Sequence, residues 1–115
     1  MRRSCFAIVV LSLAAVPAAA HHGWGSYNAT SPITITSAIE EVSLGNPHGM
    51  AMLSHEGEKW EVTLAPLSRM QARGATADVV ALGKQITAYG YPKRDGSREM
   101  RAEWIEVDGK RFKLR

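Results

Sequence analysis

Hydrophobic and polar residues alternate along residues 33–64, which is typical of half-buried β-strands. The alternation slips near Glu40 and Glu41, where one extra residue would exchange the two faces of a strand, so the pattern predicts a β-bulge there. A turn at Asn46-Pro47 separates the first strand from the second. The predicted strands are residues 33–44, 48–54 and 59–64, the last two joined by a loop at residues 56–58.

Helical spacing replaces this alternation in the next segment. Leu67 and Met70 share one helical face, and Gly74 is typical of the position just after a helix C-terminus. Thr76 is the candidate cap of a second short turn. We therefore predict a helical connection over residues 66–83.

The strand pattern returns at residues 85–91 and 100–107. In the second of these strands the phase of the apolar residues changes after Trp104, which predicts a second bulge. Asp108-Gly109 is the strongest two-residue hairpin signal in the chain. A last short strand with one apolar face is expected after it.

This order of elements is that of an OB-fold, in which a helix lies between strands three and four. We therefore predict a mainly β protein, a small OB-fold-like five-stranded barrel with one helical connection and a C-terminal hairpin. The two expected bulges favour a closed or strongly curled sheet. An SH3-like barrel or another small β-barrel is the alternative topology.

The start of the chain has the three parts of a secretory signal peptide, which are a basic segment, an apolar run over residues 6–16 and small residues at 18–20. The run is too short to span a bilayer. We predict a signal peptide over residues 1–20, an N-terminal arm over residues 21–32 and the barrel over residues 33–115. No transmembrane segment is expected after processing.

Removal of the signal peptide changes the charge and the thiol content. The mature chain loses Arg2 and Arg3, so its formal net charge falls from +3 to +1, which gives no argument for a nucleic-acid partner. The chain's one cysteine, Cys5, is also lost, so no disulfide and no thiolate chemistry is expected. We find no Gly-rich phosphate loop and no G-x-S-x-G motif, and we expect no enzymatic activity.

The histidines are the candidate metal ligands of the mature chain. Cleavage after residue 20 would place His21 at the new amino terminus, where the free amine and the imidazole chelate Cu(II), and His22 or His48 would complete a set of nitrogen donors. Cleavage after residue 18 would make His21 the third residue, a position that also binds Cu(II). The competing interpretation is that these are ordinary exposed or hydrogen-bonded histidines, and His55 is predicted to be solvated.

The aromatic residues allow two interpretations. They are a candidate stacking platform for single-stranded nucleic acid or sugars, but the alternation around Trp60 and Trp104 favours positions in the core. Trp24 and Tyr27 indicate that the arm docks on another surface.

Basic residues interrupted by acidic ones are predicted to form a solvated face; they are Lys93, Arg94, Arg98 and Arg101. The basic residues of the C-terminus, Lys110, Arg111, Lys113 and Arg115, are expected either to contact an acidic partner or to solubilise an edge strand.

Motifs along the whole mature chain carry a resemblance to a known family. They are His21-His22-Gly23-Trp24, Tyr27, Asn46-Pro47-His48, Trp60-Glu61-Val62, Pro66, Arg69-Met70, Gly74, Gly90-Tyr91-Pro92 and Arg101-Ala102-Glu103. With them the chain resembles a family of small exported proteobacterial proteins classed as a domain of unknown function. The resemblance implies a periplasmic β-barrel domain and brings no established activity. Gly25 departs from the pattern, since a Ser or a similar residue is expected after the tryptophan.

Two functions are therefore expected. The first is a periplasmic binding protein that holds copper through His21, His22 and His48, with the arm held against the barrel. The second is a metal-free module that docks an exported protein partner through the barrel face and the arm. The candidate partner surface consists of Trp24, Tyr27 and Asn46.

Overall fold

The structure is a computed structural model that describes residues 23–115. The predicted signal peptide and the candidate ligands His21 and His22 lie outside the described residues. Within the described range the chain forms a short 3-10 turn, seven strands and one α-helix. They are the turn Trp24–Ser26, β1 (Ile33–Ala38), β2 (Glu41–Ser43), β3 (Met50–His55), β4 (Glu58–Thr63), α1 (Leu67–Ala72), β5 (Gln85–Pro92), β6 (Glu99–Val107) and β7 (Lys110–Lys113).

The seven strands form one sheet in the order β1-β5-β6-β4-β3-β2, with β7 paired to β6. Neighbouring strands are antiparallel except β4 and β6, which are parallel. The mainly β fold, the helix between the third and fourth predicted strands and the C-terminal hairpin are confirmed. The expected closure of the sheet is not, because no ladder joins β1 to β2 among the described residues.

The first predicted strand is divided at the expected bulge. The N–H of Ile39 donates to the carbonyl of Lys84 at 2.8 Å, whereas the N–H of the next residue, Glu40, donates to the carbonyl of Met52 at 3.0 Å. The main chains of these two consecutive residues therefore hydrogen-bond to different parts of the sheet. The predicted strand is divided there into β1 and β2. Since β1 pairs with β5 and β2 pairs with β3, one bent segment contributes to both ends of the sheet.

The second expected bulge lies in β6. Tyr89 pairs with Trp104 and Gly90 pairs with Ala102, so Glu103 is the extra residue. Gly90 is required there, because a Cβ on it would lie 2.0 Å from the carbonyl oxygen of Arg101. The bulge therefore depends on a glycine in the facing strand.

The helical connection consists of a helix that stops at Gly74 and a separate short turn, as predicted. Gly74 has a φ of +82° and follows α1, and the N–H of Ala75 donates to the carbonyl of Met70 at 2.9 Å. This is the Schellman arrangement, which ends a helix at a glycine. The second part of the segment is a turn closed by the N–H of Val80 on the carbonyl of Thr76, also at 2.9 Å.

The core lies between the inward faces of the strands and α1. Two of the hairpin turns have paired positive φ angles, at Glu56-Gly57 and at Asp108-Gly109, which the type I′ turn requires. The hairpin predicted at Asp108-Gly109 is thereby confirmed. The largest fully buried side chains are Ile35, Ile39, Leu53, Val62, Leu64, Met70, Val80, Ile86, Met100, Ile105 and Leu114.

Candidate functional site

The N-terminal arm is bound to the loop that joins β5 to β6. The N–H of Asn28 donates to the carbonyl of Pro92 at 2.8 Å, and the N–H of Arg94 donates to the carbonyl of Ser26 at 2.9 Å. The Nε of Arg94 also donates to the carbonyl of Gly25 at 3.1 Å. Main-chain bonds of this kind extend the sheet by a short segment, so the arm has a defined position from Gly25 onwards.

Tyr27 anchors the arm to the β-sheet. Its side chain is buried, with 8% exposure, and an isolated antiparallel bridge pairs it with Lys93. Burial raises the pKa of Tyr27, while a hydrogen bond with Thr63 partly offsets the rise. The phenol is therefore neutral at physiological pH and acts as a packing and hydrogen-bonding group.

Trp24 is the half-buried centre of the arm. Its ring meets Tyr27 and Tyr91 edge-on, with centroids 6.5 Å and 6.1 Å away. The guanidinium carbons of Arg101 and Arg115 lie 4.3 Å and 4.6 Å from the centroid of the same ring. Each such cation–π contact contributes about 0.5–1 kcal/mol at a partly exposed position.

His48 lies beside an open pocket of about 460 Å³, lined by Pro47, His48, Pro66 and Arg101. The imidazole is half-buried, whereas the preceding Asn46 is exposed. Arg101 therefore belongs to two environments, since it lines the pocket of His48 and also covers the ring of Trp24. This arginine connects the arm to the pocket.

The charge at this pocket is positive. Burial lowers the pKa of Arg101, and the neighbouring Arg69 and Arg115 lower it further. An arginine remains protonated under these conditions because its ordinary pKa is above 12.

Within residues 23–115 no group of three His, Cys, Asp or Glu side chains is placed to hold a metal ion.

A row of aromatic rings continues from Trp24 over the outer face of β5 and β6. Tyr91 meets Tyr89 edge-on at 6.1 Å, and Tyr89 stacks on Trp104 at 5.2 Å with an interplanar angle of 9°. The guanidinium of Arg111 lies 3.6 Å above the ring of Trp104. Arginine side chains therefore occupy ring faces of Trp24 and Trp104 that a stacking platform for bases or sugars would need.

The prediction that Trp104 lies in the core is wrong. The bulge at Glu103 shifts the register, so Ala102 and Ile105 are buried while Trp104 between them is half-exposed. Trp60 does pack against the core, although it is only partly buried. His55 is half-buried edge-on against Trp60, with centroids 6.1 Å apart, and is not simply solvated.

The predicted solvated basic face separates into two parts. Arg98 donates to Glu58 at 2.7 Å on the surface, and Lys93 forms an ion pair with Glu99 at 2.9 Å, which raises the pKa of Lys93. Arg101 is the exception, because it is half-buried beneath the arm. Its role was missed since nothing in the local pattern distinguishes it from its basic neighbours.

A comparison with family models gives one assignment. The model of the family of unknown function DUF6152 matches residues 9–102. The chain belongs to this family. The DUF6152 match includes the arm, His48 and Arg101, so the geometry described above lies within the shared region. The expectation of a family of unknown function is thereby confirmed.

A search of curated proteins found no match to the chain of this DUF6152 protein. In the part of the chain that the structure describes, no helix has the length and apolar character needed to cross a membrane.

Proposed function

We propose that this DUF6152 protein is exported to the periplasm, where it binds Cu(II) through the mature N-terminal histidines and His48. One residue supports this proposal because it contacts both the arm and the pocket. Arg101 covers the ring of Trp24 and lines the pocket of His48. Arg101 therefore links Trp24, near the start of the described residues, to the pocket that His48 lines.

Covalent geometry keeps His21 and His22 close to Trp24. An extended chain advances at most about 3.6 Å per residue. His22 and His21 precede Trp24 by two and three positions, so their Cα atoms lie within about 11 Å of the Trp24 Cα in any conformation. A histidine side chain adds several ångströms of further reach, which supports convergence on the pocket.

The donor set suits copper. Imidazole and amine nitrogens favour a tetragonal Cu(II) site, and such ligands bind in their deprotonated forms, so affinity rises with pH. The guanidinium groups of Arg101 and Arg115 oppose a bare cation. Chelation through the N-terminal amine and the His21 imidazole must therefore provide most of the affinity.

The decisive experiment is a Cu(II) titration with electron paramagnetic resonance on protein that a cell has exported and processed. Mass spectrometry of the same sample defines the mature amino terminus. We expect one Cu(II) per chain with nitrogen couplings, and a loss of affinity of at least about tenfold in His21→Ala. His55→Ala is the matched control and is expected to bind normally. Equal losses in the two variants, or no loss in either, would reject the proposal.

A metal-free docking module is the second candidate function. The half-exposed aromatic row between Trp24 and Trp104 favours it, because tyrosine, tryptophan and arginine are enriched in protein interfaces. The partner in this case is an exported protein, and the exposed Asn46, directly before the pocket residue Pro47, belongs to the proposed surface. Capture of one periplasmic protein in the presence of chelator, and its loss on deleting residues 21–27, would favour this function over copper binding.

A further inference from the structure

Two methionines lie on the outer face of β3, opposite the core. Met50 and Met52 are half-buried, whereas Ala51 between them is fully buried. Residues two apart on a strand share a face, and their Cα atoms are about 6.6 Å apart. The other methionines of the described residues, Met70 and Met100, are fully buried in the core. Within residues 23–115 the two thioethers that solvent reaches are therefore neighbours on one strand.

His48 continues this face beyond the start of β3. Both main-chain groups of Gly49 are hydrogen-bonded to the segment that follows β4, at 2.8 Å each, so the pairing of the two strands extends past Met50. His48 lies two positions before Met50 and therefore shares its face. The pocket agrees with this placement, because His48 lines it together with Arg101, whose guanidinium covers the ring of Trp24 on the outer face.

The strands on both sides of Met52 place carboxylates next to it. Met52 pairs with Glu41 of β2 and with Glu61 of β4, and directly paired residues point to the same face of a sheet. Within residues 23–115 neither carboxylate belongs to an ion pair. The guanidinium-bearing Arg101 lies two strands away from Met50. The immediate surroundings of Met52 therefore favour a cation.

The chemistry of the three side chains indicates which cation. Thioether sulfur is a soft ligand that selects Cu(I), and imidazole also binds copper. Hard cations such as Ca²⁺ and Mg²⁺ take oxygen ligands instead. A methionine side chain is unbranched and has three rotatable bonds, so the sulfur atoms of Met50 and Met52 can turn toward one ion from backbone positions about 6.6 Å apart.

We propose that His48, Met50 and Met52 form a Cu(I) site on the outer face of β3. Two thioether sulfurs and one imidazole nitrogen are the ligands, and the carboxylates of Glu41 and Glu61 compensate the charge of the ion. The ion binds as Cu(I), and no electron is transferred. This site goes beyond the Cu(II) proposal, because it shares only His48 with that site and does not require the amino-terminal histidines.

The test is an anaerobic titration of the metal-free mature protein with Cu(I), in competition with a chromophoric Cu(I) chelator. Carbon-13 labels in the ε-methyl groups of methionine identify the ligands by nuclear magnetic resonance. We expect one Cu(I) per chain that shifts the signals of Met50 and Met52. The signals of Met70 and Met100 are expected to stay in place, because these side chains lie in the core. Cu(I) binding without a shift of Met50 and Met52 would overturn the proposal.

Variants measure the contribution of each ligand. Leucine is similar to methionine in volume, so it removes the sulfur with little change in packing. Met50→Leu, Met52→Leu and His48→Ala are each expected to lower Cu(I) affinity by at least about tenfold. Met70→Leu is the matched control and is expected to bind normally, since Met70 is fully buried. Equal affinity in all three leucine variants would show that the outer methionines only cover the sheet, which contradicts the proposal.

The two copper proposals fail separately. His21→Ala is expected to leave the Cu(I)-dependent shifts of Met50 and Met52 unchanged, because His21 is not a ligand of this site. Met52→Leu is expected to leave the Cu(II) resonance spectrum unchanged for the same reason. Cu(I) affinity that depends on His21 and on neither methionine would reject the Cu(I) site and leave the Cu(II) proposal standing.

Discussion

Arg101 is the residue on which the candidate site depends. It lies in β6 among basic neighbours that form surface ion pairs, yet its own side chain is half-buried between the ring of Trp24 and the pocket of His48. Burial of a permanently charged guanidinium costs free energy unless aromatic faces or anions compensate it. The ring of Trp24 provides such a face for Arg101.

The hydroxyl of Tyr91 provides a prediction of pH dependence. Its hydrogen bond to the carboxylate of Glu103 raises the pKa of Tyr91 to about 12. The neutral phenol is therefore favoured in the folded state, and its contribution to stability is fully present below the unfolded pKa of about 10. The contribution is lost as the pH rises from that value through about 12.

This expectation is measured by spectrophotometric titration of the phenols. In Glu103→Gln the titration of Tyr91 is expected to return toward the ordinary value, because the amide lacks the carboxylate charge. Tyr91→Phe identifies the signal by removing it. A titration of Tyr91 that is unchanged in Glu103→Gln would show that the carboxylate is not the cause.

At the scale of elements, β6 determines which side chains face outward. The extra residue Glu103 allows Ala102 and Ile105 to remain buried while Trp104 turns toward Tyr89 and Arg111. The same bulge brings Glu103 to Tyr91 and Arg115. One inserted residue therefore places Trp104 in the aromatic row and Glu103 beside Tyr91 and Arg115.

Gly90→Ala is expected to destabilise the protein through this bulge. The added Cβ would lie 2.0 Å from the carbonyl oxygen of Arg101, so the backbones of β5 and β6 must separate at a cost of about 2–4 kcal/mol. Urea denaturation measures the loss. Gly45→Ala is the matched control, because nothing lies within 4 Å of a Cβ built there; a loss in Gly45→Ala equal to that in Gly90→Ala would contradict the argument.

For the whole molecule, the arm is an attachment to a sheet that already has its own core. The fully buried side chains belong to the strands, to α1 and to the segments between them. The arm adds Tyr27 to this interior and covers Arg101 with Trp24. The core is therefore expected to persist without the arm, whereas the candidate site is not.

Deleting residues 21–28 tests this division. We expect a loss of about 2–4 kcal/mol in the free energy of unfolding, because one buried aromatic side chain is removed, while the far-ultraviolet circular dichroism still reports a β-rich fold. Tyr27→Phe is the matched variant; it keeps the buried ring and loses only the hydroxyl, at a cost of about 1 kcal/mol. An unfolded truncation, or one as stable as the full mature chain, would contradict the division.

The sequence by itself determined the local features of the fold. Alternation located the strands, and the slips in phase located the break between β1 and β2 and the bulge in β6. Asp108-Gly109 and Gly74 marked a hairpin and the end of a helix. Each of these follows from the stereochemistry of a few consecutive residues. The division of the connection into a helix and a separate turn was also predictable, because Gly74 ends the helix and Thr76 begins the turn.

Only the tertiary structure decided which distant residues meet. The contacts of Trp24 with Arg101 and Arg115 depend on the register of β5 and β6, on the bulge and on the path of the arm. A sequence pattern reports the face on which a side chain lies, but not what covers that face. His48 was therefore recognisable as a candidate ligand from the sequence, whereas the positively charged pocket beside it was not.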